Sequence, residues 1–270
     1  MGSRIFLIGL VLAGVSASAF ATEGIPELVT DRPDQSESSV VVPQGHVQLE
    51  MGWSHEEDRE AGEGYESDTL AENLLRMGVM EGLELRLSAP IHEWVDEHYP
   101  GEPKFEHEGW TDMLIGFKKY LWEEQGCLPE AALLFHLTLP TGSDGHSSER
   151  PDPNFRFSFS HELNERLSLS YNVGATWETE EDLKGDLDTG ASFNWTSSLG
   201  YSLTDRLGAF AEIFGDVPLS APGGPETSFD TGLTLLLTDH FQWDALVGFG
   251  ISEDAPDWFV GTGFSYRWPR

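Results

Sequence analysis

The residues best suited to chemistry are charged side chains that alternate with apolar ones. Within residues 73–87, Arg76, Glu84 and Arg86 occupy even positions, whereas the odd positions from 75 to 87, apart from 81, hold Leu, Met or Val. Side chains two positions apart share one face of a strand. We expect Arg76 and Arg86 to be diagonal neighbours across a hairpin with a carboxylate between them. Such a group could orient the polar parts of a solute, or it could be an ion-pair ladder that braces a narrow wall.

Further charged residues lie on the polar face of other predicted strands. They complete a candidate lumen lining: Glu50, Glu72, Lys118, Arg156 and Arg267. The same face carries large side chains as well: Tyr120, Trp122, Leu134, Phe210, Phe214, Leu246 and Phe259. A lining that mixes charges with aromatic groups suits a small pore or a bound ligand. Six further acidic residues are expected on the same face: Asp112, Glu162, Glu178, Glu212, Asp230 and Asp244. Because the inward acidic residues then outnumber the basic ones, an open pore is expected to prefer cations.

Residues 22–45 are polar, contain three prolines and show no periodicity, so we expect an irregular N-terminal segment. Asp31, Arg32 and Asp34, together with Glu37, could dock in the periplasmic mouth of a barrel as a plug and reach Arg76 or Arg86. They could equally belong to a solvated periplasmic tail. The sequence leaves both interpretations open.

Two other groups of residues are candidates for chemistry. His136 with Ser158 or Ser160 is the best base and nucleophile pair, but all three lie on the polar face, where Ser is common, so we expect no enzyme. The acidic loops carry a second group: His92, Glu93, Asp96, Glu97, His98 and His107. Its spacing matches no ligand motif, and we expect a solvated acidic rim. The chain has no zinc-type Cys/His spacing and no glycine-rich phosphate loop, so no metal or cofactor is expected.

Period-2 alternation recurs along residues 46–270 and predicts twelve strands. The strands are expected at 47–53, 73–79, 83–87, 113–121, 133–139, 155–160, 167–177, 191–203, 207–213, 229–237, 241–251 and 258–268. Their apolar face carries no carboxylate, and its only ionisable exceptions are Lys119 and His161. Arg or Lys at mid-bilayer on a barrel's lipid face costs about 2–4 kcal/mol, so lipid exposure would impose this segregation.

Short polar turns alternate with long acidic loops along the chain. The expected loops are residues 55–68, 88–109, 141–152, 178–188 and 215–226. Aromatic residues cluster near both ends of the apolar face: Tyr201, Phe241, Trp243, Tyr266 and Trp268 by the turns, and Trp53, Trp177 and Trp258 by the loops. The pattern predicts an all-β fold, a twelve-stranded antiparallel transmembrane β-barrel with an up-and-down meander and both termini in the periplasm. A soluble β-sandwich or lipocalin-like fold is the alternative.

Composition excludes several classes of protein. Arg4, an apolar run and the small residues before position 22 predict a signal peptide of residues 1–21, which would direct the chain to the outer membrane of a Gram-negative cell. The formal charge of −32 would repel nucleic acid. Cys127 is the only cysteine, so no intrachain disulfide can form.

Several motifs resemble one family, the outer-membrane "transporter" β-barrels named for the MetA pathway of phenol degradation. The matching stretches are residues 30–34, 43–50, 74–78, 83–86, 137–142 and 257–267. One departure is the addition of Pro269 and Arg270 after the terminal Trp268. The resemblance implies a membrane barrel and, together with the mixed lining, passive uptake of small aromatic or hydrophobic solutes. A structural barrel without transport is the main alternative. Expected partners are outer-membrane lipid, lipopolysaccharide, the barrel-assembly machinery and small solutes.

Overall fold

One antiparallel sheet, closed into a barrel, accounts for the architecture. A computed structural model describes residues 26–60, 63–98, 103–181, 187–220 and 223–268; the expected signal peptide lies outside these ranges. The strands are β1 (Val47–Glu60), β2 (Glu63–Met80), β3 (Leu83–Ser88), β4 (His92–His98), β5 (Phe105–Trp110), β6 (Met113–Trp122), β7 (Glu130–Leu139), β8 (Asp152–Asn164), β9 (Leu167–Glu181), β10 (Leu187–Ser202), β11 (Leu207–Pro218), β12 (Glu226–Thr238), β13 (Phe241–Gly250) and β14 (Trp258–Arg267). Within the described ranges, no helix is long and apolar enough to span a membrane.

Twelve of these strands form the barrel wall. Each pairs with its neighbour along the chain, except that β3 pairs with β6, and β1 closes the barrel by pairing with both β2 and β14. The predicted twelve-stranded antiparallel barrel is confirmed.

The two faces of the wall differ as the alternation predicts. On β13, Asp244 is fully buried in the interior, whereas Val247 and Phe249 are about half exposed (53% and 50%) on the outside. The same division recurs around the barrel, so a broad apolar surface faces outwards. A soluble monomer rarely exposes an apolar patch larger than a few hundred Å². The chain is therefore an outer-membrane β-barrel.

The charged exceptions on the outer face lie near the short-turn end. Lys119 is exposed there, beside β3. His161 Nδ1 lies 3.2 Å from Glu124 Oε1, in the turn before β7, and its ring stacks on Tyr171. Both side chains can thus direct their polar ends towards the headgroups.

The predicted loops are corrected, most of all in two places. Strand pairing also enters the expected loops 178–188 and 215–226, so both are shorter than predicted. Residues 55–68 and 88–109 are expected from the sequence to be loops, but β1 and β2 continue pairing as far as Glu60 and Glu63, and β4 and β5 form an extra hairpin on the upper part of β2. Hydrophobic alternation stops where the strands leave the bilayer, because water is present on both faces there. Backbone hydrogen bonding needs no apolar face and therefore continues.

The first hairpin also corrects an expected contact. Met77 pairs with Leu85, and Arg76 lies directly opposite Arg86 instead of diagonal to it, with Gly78 opposite Glu84. The loop between the strands is two residues long, with a bulge after Gly78. The two arginines are therefore cross-strand partners and need counter-charges more strongly than a diagonal pair would.

Labelling from outside the cell tests the orientation. An impermeant thiol reagent is expected to label Glu106→Cys, in the long-loop end, on intact cells in a Cys127→Ser background. Asp205→Cys, in a short turn, should react only after lysis, because short turns face the periplasm. The wild-type protein, whose Cys127 is exposed at the short-turn end, is a separate control that should also stay unlabelled on intact cells. The opposite pattern would mean that the barrel is inserted the other way round.

Candidate functional site

Arg76 lies at the centre of an ion network inside the barrel. Its Nε donates to Glu84 Oε1 at 2.9 Å, and its Nη1 donates to Glu50 Oε1 at 2.8 Å. Arg86 contacts the same Glu84 oxygen at 2.9 Å. All four side chains are buried. Carboxylates thus separate the two facing guanidinium groups, which is the condition for burying them together.

Asp31 fills the space between three cations. Its Oδ2 lies 2.6 Å from Arg86 Nη1, 2.8 Å from Lys118 Nζ and 3.1 Å from Arg76 Nη1. Asp31 belongs to the N-terminal segment, residues 26–46, and not to a strand. Burial alone would raise the pKa of its carboxyl group, but the charges of Arg76, Lys118 and Arg86 outweigh burial and hold that pKa well below its usual range. Asp31 is therefore a carboxylate that ties the segment to β2, β3 and β6.

Arg32 contacts the neighbouring part of the wall, formed by β2, β1, β14 and β13. Its Nη1 lies 2.9 Å from Glu72, and its Nη2 lies 3.4 Å from Asp244 on β13. Gly52 and Gly263 pair with each other in β1 and β14, and a Cβ atom on either would collide with the Arg32 guanidinium. The two glycines thus leave the room that Arg32 needs against the barrel wall.

The next part of the segment crosses towards β8–β11. The backbone N–H of Gln35 and the hydroxyl of Ser36 donate to Glu212 at 2.6 and 2.5 Å. The carbonyl of Glu37 accepts from Asn172 Nδ2 at 3.0 Å, and its carboxylate lies 2.9 Å from Arg86. Backbone and side-chain groups of the segment are thus both satisfied by the inner wall.

The segment then returns to its starting wall. The Ser39 hydroxyl donates to Glu130 at 2.5 Å and lies 2.8 Å from the Ser160 hydroxyl. The Val42 N–H donates to Glu84 at 2.6 Å. From Asp31 to Val42, the segment contacts strands on both sides of the lumen. The strand residues that it contacts lie within a few positions of the short turns. The N-terminal segment therefore lies across the half of the barrel that ends in the short turns.

The remaining predicted residues lie around this cluster. Asp34 lies beside Ser198 on β10. Arg267 donates to the carbonyl of Glu27 at 2.8 Å and to that of Pro26, and so anchors the start of the segment. Arg156 is not among the ion-paired groups of this cluster and lines open space instead.

Two cavities lie above the N-terminal segment. One, of about 270 Å³, is bordered by Phe214, Phe259 and Arg156 together with several carboxylates; the rings of the two phenylalanines meet edge to face at 6.0 Å. The other, of about 220 Å³, is lined by the segment itself and by Arg156. Gln35 and Arg156 border both cavities. The segment thus forms the floor of a vestibule that mixes aromatic and charged groups.

The candidate base and nucleophile are not brought together as a pair. The Ser158 hydroxyl donates to the Glu37 carbonyl at 2.5 Å, and the Ser160 hydroxyl contacts Ser39. His136 pairs across the strands with Gly116 and Asn154, and its Nε2 is buried without a hydrogen-bond partner. Both serines serve to hold the N-terminal segment.

The loop residues are distributed over the extra hairpin. Asp96 pairs with Lys104 at 2.6 Å, and the His92 ring packs between Trp94 and Trp110. Among the residues that the structure describes, no group of three or more His, Cys, Asp or Glu side chains is arranged to hold a metal ion. His107, however, contacts a histidine that the sequence did not single out, His146.

Sequence reasoning also missed several partners of the N-terminal segment. Those partners are Glu130, Ser158, Asn172, Thr196 and Glu212, each on the polar face of a strand. Their only sequence signal is that placement, which they share with ordinary lumen-facing residues. Which of them meets the segment depends on how the segment folds inside the barrel.

Comparison with known proteins places the chain among membrane barrels. The family model described as "Putative MetA-pathway of phenol degradation" matches residues 30–268. A search of curated proteins gives no match.

Solved structures with the same fold share little sequence with the chain. An outer membrane channel from Pseudomonas putida F1 is 12% identical, with a TM-score of 0.69, over 84% of this chain and 97% of that one. The β domain of the Bordetella autotransporter BrkA is 10% identical, with a TM-score of 0.55, over 83% and 99%. The translocator domain of NalP from Neisseria meningitidis is 9% identical, with a TM-score of 0.54, over 83% and 88%. At these identities the likeness establishes the fold.

Proposed function

Because this chain belongs to the family described as "Putative MetA-pathway of phenol degradation" and is an outer-membrane β-barrel, we propose that it is a channel for passive entry of small aromatic or otherwise hydrophobic solutes. The observation that carries the proposal is the vestibule. Phe214 and Phe259 offer an apolar surface inside a largely polar lumen, next to Arg156 and hydrogen-bonding side chains. A mixed lining of this kind suits a ring that carries a polar substituent.

The N-terminal segment acts as the gate in this proposal. It closes the periplasmic half below both cavities, and Asp31, Arg32 and Glu37 hold it through ion pairs with the wall. A solute would reach the vestibule from outside and pass when part of the segment moves aside. Ion pairs that are shared among several partners suit this role, because one contact can open while the others persist.

The charge of the vestibule supports a preference for cations. Glu56, Asp216 and Glu226 border the larger cavity, where Arg156 is the one basic residue among its lining groups in the described chain. Fields are focused in a narrow lumen with low-dielectric walls. Neutral and cationic aromatic solutes are therefore the favoured class.

Uptake and conductance measurements test the proposal against a structural barrel. The mature protein in planar bilayers is expected to give discrete openings, with a reversal potential on the cation side in a KCl gradient. A deletion strain should take up benzyl alcohol more slowly, and Phe214→Ala with Phe259→Ala should slow uptake of that solute several-fold while sparing glycerol. Phe249→Ala, which changes an outward-facing ring, is the matched control. No conductance and unchanged uptake would favour a barrel without transport.

The surroundings of the barrel follow from the same proposal. Its apolar outer face contacts outer-membrane lipid, and the acidic extracellular loops contact lipopolysaccharide through bridging cations. Insertion depends on the barrel-assembly machinery, which would have to accept a chain that continues for two residues after Trp268. No catalytic activity is part of the proposal, because Ser158 and Ser160 are occupied by the N-terminal segment.

A further inference from the structure

Two histidines from separate extracellular elements face each other in the long-loop end. His107 lies on β5, and His146 lies in the loop between β7 and β8. His107 Nδ1 is 3.2 Å from His146 Nε2. A tetrahedral zinc ion with Zn–N bonds of about 2.0–2.1 Å holds two nitrogens about 3.3 Å apart. The observed distance between the two nitrogens therefore matches that between two histidine ligands of one tetrahedral transition-metal ion.

The His146 imidazole is supported from behind by a carboxylate, whereas the carboxylate behind His107 lies beyond hydrogen-bond distance. His146 Nδ1 lies 3.2 Å from Glu93 Oε2, and His107 Nε2 lies 3.8 Å from Glu97 Oε1. In metal sites, a ligating histidine commonly donates its other N–H to a carboxylate, which fixes the tautomer and raises the basicity of the ligating nitrogen. With both outer nitrogens protonated, each of the two facing nitrogens carries a lone pair.

The two histidines are also held in place before any ion arrives. Asp112 fixes the loop of His146, since its Oδ1 accepts from the N–H groups of Thr141 and Gly142 at 2.7 Å and its Oδ2 accepts from Ser148 at 2.8 Å. On the hairpin, Gly109 makes room for His146, because a Cβ atom there would collide with the imidazole ring. The fold thus holds His146 against β5, the strand that carries His107.

We propose that His107 Nδ1 and His146 Nε2 bind one divalent transition-metal ion of the zinc class at the extracellular face. The pair supplies two protein ligands, and water completes the coordination, in keeping with the finding that the described residues contain no cluster of three metal-binding side chains. His146 is almost fully covered (3%), whereas His107 is 43% exposed, so an ion has a path from outside. The ion would fasten the β4–β5 hairpin to the neighbouring loop.

Titration calorimetry with ZnCl₂ on the mature, untagged protein in detergent tests the site. Excess MgCl₂ is present throughout the titration. It occupies sites made of carboxylates alone, because such sites bind hard cations. One equivalent of Zn²⁺ is expected to bind, and His107→Gln or His146→Gln should each weaken binding by about tenfold or more. Glu93→Gln should weaken binding in the same direction through loss of its support of His146. The matched control is His98→Gln, a histidine of the same hairpin outside the pair, which should leave binding unchanged.

The proposal fails if the double variant His107→Gln/His146→Gln binds Zn²⁺ as tightly as the wild-type protein does. It also fails if the wild-type protein binds no Zn²⁺ under these conditions, which would leave the pair an ordinary hydrogen bond. Migration of the unheated protein on SDS gels shows that each variant is still a folded barrel. These results are independent of whether the barrel conducts.

Discussion

Replacing Arg76 and Arg86 together by Gln is expected to raise conductance several-fold and to strengthen cation preference at the same time. The double variant removes two of the three cations that hold Asp31, leaving Lys118 alone. Removing one partner of a buried ion pair costs about 3–5 kcal/mol where water cannot replace it. The N-terminal segment should therefore be held more loosely, and the lumen loses two positive charges. Planar-bilayer recordings in a KCl gradient give both quantities.

The matched control for this experiment is Arg206→Gln. Arg206 is exposed in a short turn and pairs only weakly with Asp239 at 3.5 Å, so its loss should change neither quantity. Heat-dependent migration on SDS gels confirms folding of both variants. A double variant that folds normally but keeps the wild-type current and reversal potential would contradict this prediction. It would show that the two arginines only brace the wall and affect neither the opening of the pore nor its ion selectivity.

Fastening the N-terminal segment to the wall should have the opposite effect. Ser39 Oγ and Ser160 Oγ lie 2.8 Å apart, so cysteines at both positions can approach the distance of a disulfide bond with small adjustments. In a Cys127→Ser background, oxidised Ser39→Cys/Ser160→Cys protein is expected to lose its openings, because the segment can no longer move aside. Reduction with dithiothreitol should restore them in the same bilayer.

Two comparisons make the result decisive. Ser39→Cys alone, treated with the same oxidant, should conduct like the wild-type protein. Mass spectrometry of proteolytic fragments confirms that the crosslink has formed. If the crosslinked protein conducts as well as the reduced one, solutes pass beside a fixed segment, and the gate proposed for residues 26–46 does not exist.

The barrel could be predicted from particular residues of the sequence. The apolar alternation at 83, 85 and 87, repeated along the chain, assigns Glu84 and Arg86 to the inside, and both are buried there. The prediction succeeds because lipid penalises a charge on the outer face at nearly every position. The β4–β5 hairpin escaped prediction because no such penalty applies outside the bilayer.

The sequence alone determined the number of strands in the barrel wall, the face of each strand that points inwards and the charged residues on that face. The position of the N-terminal segment was decided only by the tertiary structure, because residues 26–46 have no periodicity and their polar groups would be equally satisfied by water. Likewise, no pattern connects His107 on β5 with His146 in the loop between β7 and β8, which are 39 positions apart. Contacts across the lumen or between extracellular elements depend on how the closed sheet brings distant residues together. Whether a side chain faces the lumen or the lipid depends only on its odd or even position along its own strand.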